Sequence, residues 1–485
     1  MKSLAKDTAI YGLSSIVGRF LSYLLTPLYT FVLDAKSGGL GVVTNVYAYT
    51  ALILVILTFG METTYFRFVN KEKENPDTVF SSTIGVVTFL SLIFVGTVFA
   101  FIGPIGEMMG YPDHHEYITM MAVTVAIDSV MAIPFCFLRY KGKAKKFAIL
   151  KFLNIVTGVL LNVTCFVLLG FTDVVYVFII NLFCSSIMTL FFIPEFFTIK
   201  WKVDFALIRR MFNYSWPILI LGIAGILNQA FDKMVFPWTY TYTGLHTMTE
   251  AKNQLGIYGA CVKVAMIMAI LTQTFRYAYE PIVFAKSKDR DSKEYYAVAM
   301  KYFIIFMLLA FLCVMGYIDI LKRIIAKDYQ EGLAVIPIVM AAEIMMGIYF
   351  NLSFWYKLID KTIWGAWFSF AGCSVLIAVN ILFVPKFGYM ACAWGGFAGY
   401  GTAMVLSYII GQMKNPIKYD MAGIGVYVLI TCLFFGAMQV VATYVDNVIL
   451  RLLINTGLII LFLAHIIYHD IPLHSLPVIG KKFKK

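Results

Sequence analysis

Fourteen stretches of about 20 mostly apolar residues follow one another along the chain, and this series constrains the fold more than any other feature. They run over 9–33, 42–66, 80–102, 117–138, 147–170, 174–196, 211–238, 254–284, 297–317, 333–356, 363–384, 388–411, 421–442 and 447–468. Each is long enough to cross a hydrocarbon core of about 30 Å as a helix. In lipid, a helix of this length satisfies its own backbone N–H and C=O groups, which an open strand does not. The fold class expected is an all-α polytopic membrane protein. Composition agrees: charged residues make up 14% of the chain, against about 25% in soluble domains, and mean hydropathy is +0.82. After MKSLAKDT the apolar run is too long for a signal peptide and lacks a small-residue cleavage site, so the first span reads as a true transmembrane helix.

An even number of spans puts both ends on one side. With the termini inside, 28 of the 39 Lys and Arg fall in cytoplasmic segments or at their span ends, against 7 outside. The expected placement is therefore the cell (inner) membrane, multi-pass, with cytoplasmic N- and C-termini. The net charge of +12 is mostly this topology and not a nucleic-acid surface. One inner segment, 197–212, places Trp201, Phe205, Ile208 and Phe212 on one helical face among Lys200, Lys202, Arg209 and Arg210, as expected of a helix lying on the membrane surface.

The chain repeats across that segment. LGVVTNVYAY (40–49) resembles LGIYGACVKV (255–264) at an offset of 215, which also pairs Asp128 with Glu343. LNVTCFVLLG (161–170) resembles VNILFVPKFG (379–388) at 218, aligning Asn162 with Asn380 and Arg139 with Lys357. Two six-helix lobes follow, 1–196 and 213–411, joined by 197–212 and related by a pseudo-two-fold along the membrane normal, since six is even. Residues 412–485 add two C-terminal helices and a basic tail. A substrate path between the lobes is the arrangement such repeats imply.

Polar groups inside the spans are the candidate site. Arg19 shares a stripe with Ser15, Ser22, Thr26, Tyr29 and Thr30, suited to line a hydrated cavity, and an arginine at a helix centre costs roughly 2.5–3.5 kcal/mol on insertion scales. Pro27 in the same helix removes a backbone hydrogen bond and offers a bend. Span seven carries Asn228, Gln229, Asp232 and Lys233; span eight carries Lys263, Gln273, Arg276 and Glu280. Arg276 and Glu280 have the spacing of an internal ion pair, and Lys233 has Asp232 beside it but about 100° around the helix. Lys263 and Arg276 lie on different faces of a straight helix. No G-x-x-x-x-G-K-[ST], H-E-x-x-H or G-x-S-x-G occurs. The eight cysteines form no C-x-x-C pair and read as packing residues; His465 and His469 have helical spacing but no acidic third ligand. No metal, cofactor or enzymatic role is expected. DRD (289–291) sits in a short charged loop with no nucleotide-binding domain around it.

KDTAIYGLSSIVGRFLSYLLTPLYTFVL, FLRYKGKAKKFAILKFLNIVTGVLLN and FWYKLIDKT with FGYMACAW resemble the bacterial polysaccharide transporter family, within the multidrug/oligosaccharidyl-lipid/polysaccharide exporter superfamily. The resemblance weakens in the last two spans. It implies two six-helix lobes in a V with alternating access, and a flippase for an undecaprenyl-pyrophosphate-linked oligosaccharide that serves surface polysaccharide (lipopolysaccharide or capsule) biosynthesis. Arg19 matches the family's cation in the first span, whereas the second-span arginine of the lipid II flippases is absent and Glu62 lies near that span's inner end. The implied partners are the lipid-linked substrate, the bilayer, and polysaccharide polymerase and glycosyltransferases. A lipid pyrophosphate is a dianion that arginine holds bidentately, while sugars take Asn, Gln and Tyr. Arg19, Lys263, Lys233, Gln229, Asn228 and Arg276 are the expected substrate-binding residues; Asp128, Glu343, Asp232 and Pro27 are expected to couple or gate. A cation-coupled multidrug exporter of the same superfamily, with an acid-dominated cavity, is the alternative; a membrane glycosyltransferase or polymerase would need a larger outer loop.

Overall fold

The computed structural model describes residues 25–33, 38–72, 74–286, 292–359 and 361–470, and among them every regular element is a helix. α1 (Leu25–Val32) is the described end of the first expected span. α2 (Gly39–Thr58) and α3 (Met61–Asn70) share the second, across a left-handed joint at Phe59 and Gly60. Next come α4 (Pro76–Ala100), α5 (Ile102–Met109), α6 (His115–Tyr140), α7 (Ala144–Val163), α8 (Val175–Leu190) and α9 (Ile193–Thr198). The chain continues through α10 (Phe205–Thr241), α11 (Met248–Ala265), α12 (Ile267–Lys286), α13 (Ser292–Gly316), α14 (Ile318–Leu321), α15 (Val335–Leu352) and α16 (Phe354–Leu358). It closes with α17 (Ile363–Phe387), α18 (Tyr389–Lys414), α19 (Met421–Tyr444) and α20 (Val448–His469).

Among the described residues 11 helices are long and apolar enough to cross a membrane, or up to 12 if α11 and α12, bent by 40° at Met266, count as one. The expected fourteen are therefore not all counted. The first lies mainly outside the described residues. α18 is long enough, but its five glycines with Gln412 and Lys414 lower its hydropathy. The surface helix expected over 197–212 also takes another form. Residues 199–204 carry no helix, and Asp204 accepts hydrogen bonds from the Ala206 and Leu207 N–H groups, starting α10 at Phe205. α10 then runs 37 residues without a break, so Phe205, Ile208 and Phe212 belong to the span itself and Trp201 to the segment before it.

Two compact units form, 1–260 with 373–395, and 261–372 with 396–485. In the first, α2, α4 and α8 pack on α6, and α10 lies along α2. In the second, α13 is central and meets α12, α15, α19 and α20. The C-terminal pair is fastened to α13 near both of its ends. At one, Asn455 donates to the Gly316 carbonyl at 2.9 Å and Arg451 pairs with Asp319 at 3.0 Å. At the other, Lys301 bridges Asp420 (2.9 Å) and Asp470, which also accepts from Tyr427. The Lys301 bond and the Gly423 N–H hold the Asp420 carboxyl below its ordinary range; burial pushes Asp470 up, but Lys301 and Tyr427 outweigh it and leave it lowered too.

Several positions matched by the expected repeat behave alike. Asn162 and Asn380, 218 apart, each donate to the carbonyl four residues back, of Gly158 and Leu376, both at 2.8 Å. Gly170 and Gly388, also 218 apart, both turn left-handed after their helices. Glu280 pairs with Lys357 at 3.5 Å, and 218 residues earlier Glu62 lies in the field of Arg139. Where α2 meets α11, equivalents touch each other. A Cβ on Gly41 would stand 1.7 Å from the Lys252 carbonyl oxygen and 3.0 Å from the Gly256 nitrogen, and one on Gly259 would stand 2.6 Å from Thr44 Oγ1. Gly41 with Gly256, and Thr44 with Gly259, are 215 apart.

Gly41→Val therefore has no room, and we expect at least the roughly 1–3 kcal/mol of an overpacked core, read as loss of monodisperse protein in detergent. Gly85→Ala, where a Cβ meets nothing within 4 Å, is the neutral control. The Lys301 clamp relies on carboxyls with lowered folded-state values. Its contribution is complete above the unfolded Asp range, about 3.9, and is lost as pH falls through the lowered value. Proteolysis of the 415–420 link should thus be flat across neutral pH, and Lys301→Met should raise it there but not below the lowered carboxyl value, where the clamp is already lost.

Candidate functional site

The densest set of the expected residues gathers on α10. Lys233 Nζ contacts Asp232 Oδ1 at 2.9 Å and Oδ2 at 3.1 Å, and donates to the Gln229 carbonyl at 3.0 Å. Consecutive residues diverge by about 100° around a helix, but the four-carbon lysine stem is long enough to fold back. Tyr258 of α11 donates to Asp232 Oδ2 at 2.7 Å, so the carboxylate is held from two helices. Asn228 is buried and donates to the Ala224 carbonyl at 3.2 Å, while the Gln229 side chain is exposed. The Lys233 side chain remains 21% exposed and Asp232 only 9%. The result is an anchored ammonium inside a membrane-crossing helix, with one face open.

The backbone of the same residue is also tied down. Pro237 has no N–H, so the Lys233 carbonyl loses the donor that an α-helix would supply from four residues on. Asn45 of α2 takes that place at 2.8 Å and reaches the Met234 carbonyl at 3.3 Å; Tyr49 donates to Met234 at 3.0 Å. Tyr111, after α5, donates to Asn45 Oδ1 at 3.0 Å, which fixes which end of the amide faces α10. Lys252 lies 4.0 Å over the Tyr111 ring and donates to the Gly110 carbonyl at 2.7 Å. Asn45, Tyr111 and Tyr258 escaped the sequence reading, although Asn45 and Tyr258 lie inside the two repeat motifs.

Elsewhere in the first unit, Asp128 accepts from Ser185 of α8 at 2.7 Å. Lys151 of α7 lies within electrostatic reach of both Asp128 and Glu62, and 4.1 Å over the Phe135 ring. By position Lys151 passes for a cytoplasmic span end. Its signal is the stripe Lys151, Asn154, Gly158 and Asn162 at i, i+3, i+7 and i+11. The described part of the Arg19 stripe, Thr26, Tyr29 and Thr30, is buried, and Tyr29 donates to Asn162 Oδ1 at 2.8 Å. Arg19 itself lies outside the described residues. Pro27 is described, but the carbonyl its ring would leave without a donor, that of Tyr23, is not.

In the second unit the expected Arg276–Glu280 pair does not form. Glu280 takes Lys357, and the Arg276 guanidinium lies 4.2 Å over the Phe350 ring of α15, a tertiary contact that outcompetes the i,i+4 neighbour. Lys263 is exposed and Glu343 half-buried. The bend at Met266 falls between Lys263 and Arg276, so the straight-helix argument that separated them does not apply. Among the described residues no group of three or more His, Cys, Asp or Glu is arranged to hold a metal ion.

The pattern of the family described as polysaccharide biosynthesis protein matches residues 4–275, more than half of the chain. The chain belongs to this family. Solved structures share the fold. Lipid II flippase MurJ, in an inward closed conformation, is 15% identical with a TM-score of 0.73, over 94% of this chain and 98% of that one. An inward-facing multidrug resistance MATE transporter of the MOP superfamily is 13% identical with a TM-score of 0.66, over 81% and 94%. A MOP superfamily transporter from Pyrococcus furiosus, described by the reverse polarity of its binding pocket, is 14% identical with a TM-score of 0.58, over 84% and 95%. Among curated protein sequences none matches. The chain is thus a multi-pass membrane protein with the two-lobed helical fold of MurJ and MATE.

Removing the acid that anchors Lys233 should be costly. Asp232→Ala leaves an ammonium without its counter-charge, and we expect a loss of 1–3 kcal/mol, on the order set by an unsatisfied buried polar group. Tyr258→Phe removes one hydrogen bond and should cost about 1 kcal/mol. Thermal unfolding in detergent of the two variants, side by side, checks the ranking.

Proposed function

We propose that this protein moves an undecaprenyl-pyrophosphate-linked oligosaccharide from the cytoplasmic to the outer leaflet by alternating access, for surface polysaccharide biosynthesis. The observation that carries the reading is Lys233: a partly open ammonium inside a span, held by Asp232 and Tyr258, in a chain of the polysaccharide biosynthesis family. MurJ, with its lipid-linked substrate, supports the lipid class. In this reading Lys233, Arg276, Lys263 and Arg19 are cations that serve the anionic substrate, each within its own unit, and Asn228 and Gln229 serve sugar. An ammonium offers three donors, here turned to the two Asp232 oxygens and the Gln229 carbonyl, so a phosphate oxygen enters by taking the place of one of them. Asp128, Glu343, Asp232 and Pro27 serve coupling or gating. The domains proposed are 1–196 and 213–411, with the join in 197–212 running into α10 from Phe205, and 412–485 as an appended pair and tail. The protein resides in the cell (inner) membrane with both termini cytoplasmic, working beside polymerase and glycosyltransferases and performing no chemistry itself.

Outward movement of negative charge runs with a negative-inside potential, worth about 2.3 kcal/mol per charge per 100 mV, which favours export, with ion exchange through Asp128 or Glu343 as the other source of drive. The MATE likeness keeps a cation-coupled drug exporter as the second reading, and Asp128, an acid within a span, is the residue that favours it.

Deleting the gene should deplete a surface polysaccharide and strand its lipid-linked repeat unit on the inner leaflet, read by extraction with a leaflet-accessibility assay. Normal glycan with raised sensitivity to cationic drugs would favour the exporter. In the complemented strain, Arg19→Ala should abolish transport with near-normal insertion, and Arg19→Lys should keep part of it, because a point charge attracts without the bidentate fork. His114 and Lys143, both about half-exposed, test the topology. His114→Cys and Lys143→Cys, introduced singly in a cysteine-free chain, should be labelled from opposite sides of the membrane.

A further inference from the structure

Lys233 is held at two points, and the helices that hold them are different. Its ammonium is fixed through Asp232 to Tyr258 of α11. Its carbonyl, left without a helical donor by Pro237, is fixed to Asn45 of α2. The helix between those attachments is locally free of one backbone bond, so the turn 233–237 is set by what lies against it. Both N–H groups of the Asn45 amide are spent on α10, on the Lys233 and Met234 carbonyls, and its oxygen is spent on Tyr111. Asn45 is 1% exposed and Tyr111 1%, so water does not take over these bonds without the helices parting.

α2 and α10 come from opposite halves of the repeat. Both lie in one compact unit, and any separation of α2 from α10 within it strips the Lys233 carbonyl of its donor and releases the turn that carries the ammonium. We propose that Asn45 is a positioning residue, and that its grip on the carbonyl freed by Pro237 ties the placement of the Lys233 ammonium to contact between α2 and α10. The inference rests on the reading of Lys233 as a substrate-binding group and supplies its regulation: the cation is held in one arrangement while α2 and α10 are in contact and relaxes when they part. Tyr111 sets the amide the right way round, and Lys252, stacked on Tyr111 and bonded to Gly110, holds Tyr111 in turn.

The test reads the position of the amine without any substrate. Purified chain in detergent is treated with formaldehyde and a mild reductant, and dimethylation of Lys233 is followed by mass spectrometry with Lys143 as the internal standard. Asn45→Ala should raise the Lys233 rate roughly ten-fold, the ratio that corresponds to losing a hydrogen bond and leaving a buried carbonyl bare. Tyr111→Phe, which keeps both carbonyl bonds, should raise it less. Pro237→Ala returns an N–H to the Lys233 carbonyl, so Asn45→Ala with Pro237→Ala should recover the folded yield of the parent while the Lys233 rate stays high. If the double variant recovers yield and rate together, Asn45 only satisfies a carbonyl and the proposal is overturned. An unchanged rate in Asn45→Ala overturns it as well. Neither readout involves a lipid, so a normal positioning result with no effect of gene deletion on surface glycan would sink the transport reading alone.

Discussion

In a bilayer, a backbone group that loses its helical partner finds no water to replace it, and the carbonyl of Lys233 is such a group. Pro237 takes away its donor, and the chain answers with the amide of Asn45 from a helix nearly two hundred residues earlier. Much else depends on this bond. It holds α10 along α2, it calls for Tyr111 to orient the amide, and it places Lys233 with its ammonium against Asp232. A proline inside a membrane helix is commonly a bend; here it is also a socket. The same economy appears where Tyr29 spends its hydroxyl on Asn162 and Asn455 spends its amide on Gly316.

The duplication is carried by polar and small residues more than by the apolar ones around them. Asn162 and Asn380 make the same backward bond, Gly170 and Gly388 the same turn, and Glu280 with Lys357 echoes Glu62 with Arg139. The copies then diverge in their partners. Asn162 Oδ1 receives Tyr29, whereas Asn380 Oδ1 is buried with no hydrogen bond among the described residues. Divergence at matched positions is what allows one half to keep a structural bond where the other takes on a different task.

Spans, their order and the repeat were legible because each rests on a local pattern: length, hydropathy, or a short motif at constant offset. The contacts were legible only where they were local too. Arg276 and Glu280 have ideal spacing for each other, yet the partners they take are Phe350 and Lys357, 74 and 77 residues away and supplied by packing. Lys151 passed for a topological cation because its acids, Glu62 and Asp128, lie on two other helices. The start of α10 was there to be read, since Asp204 just before an apolar run is an ordinary helix-capping signal. Asn45 carried no such mark: a lone Asn in an apolar span says that a partner exists and not which one.

The crossing of α2 and α11 has a consequence for how the chain is made. Gly41 meets Gly256, and Thr44 meets Gly259, so each residue of the first helix waits for a mate 215 positions later. At synthesis rates of about 5–20 residues per second, α2 spends on the order of 10–40 s in the membrane with its glycine face bare and the Asn45 amide unmet. During that interval the insertion machinery, or a neighbouring chain with a similar small-residue face, is the alternative mate. Slowing the ribosome between residues 60 and 240 should then lower the yield of assembled protein without changing any contact in the finished one.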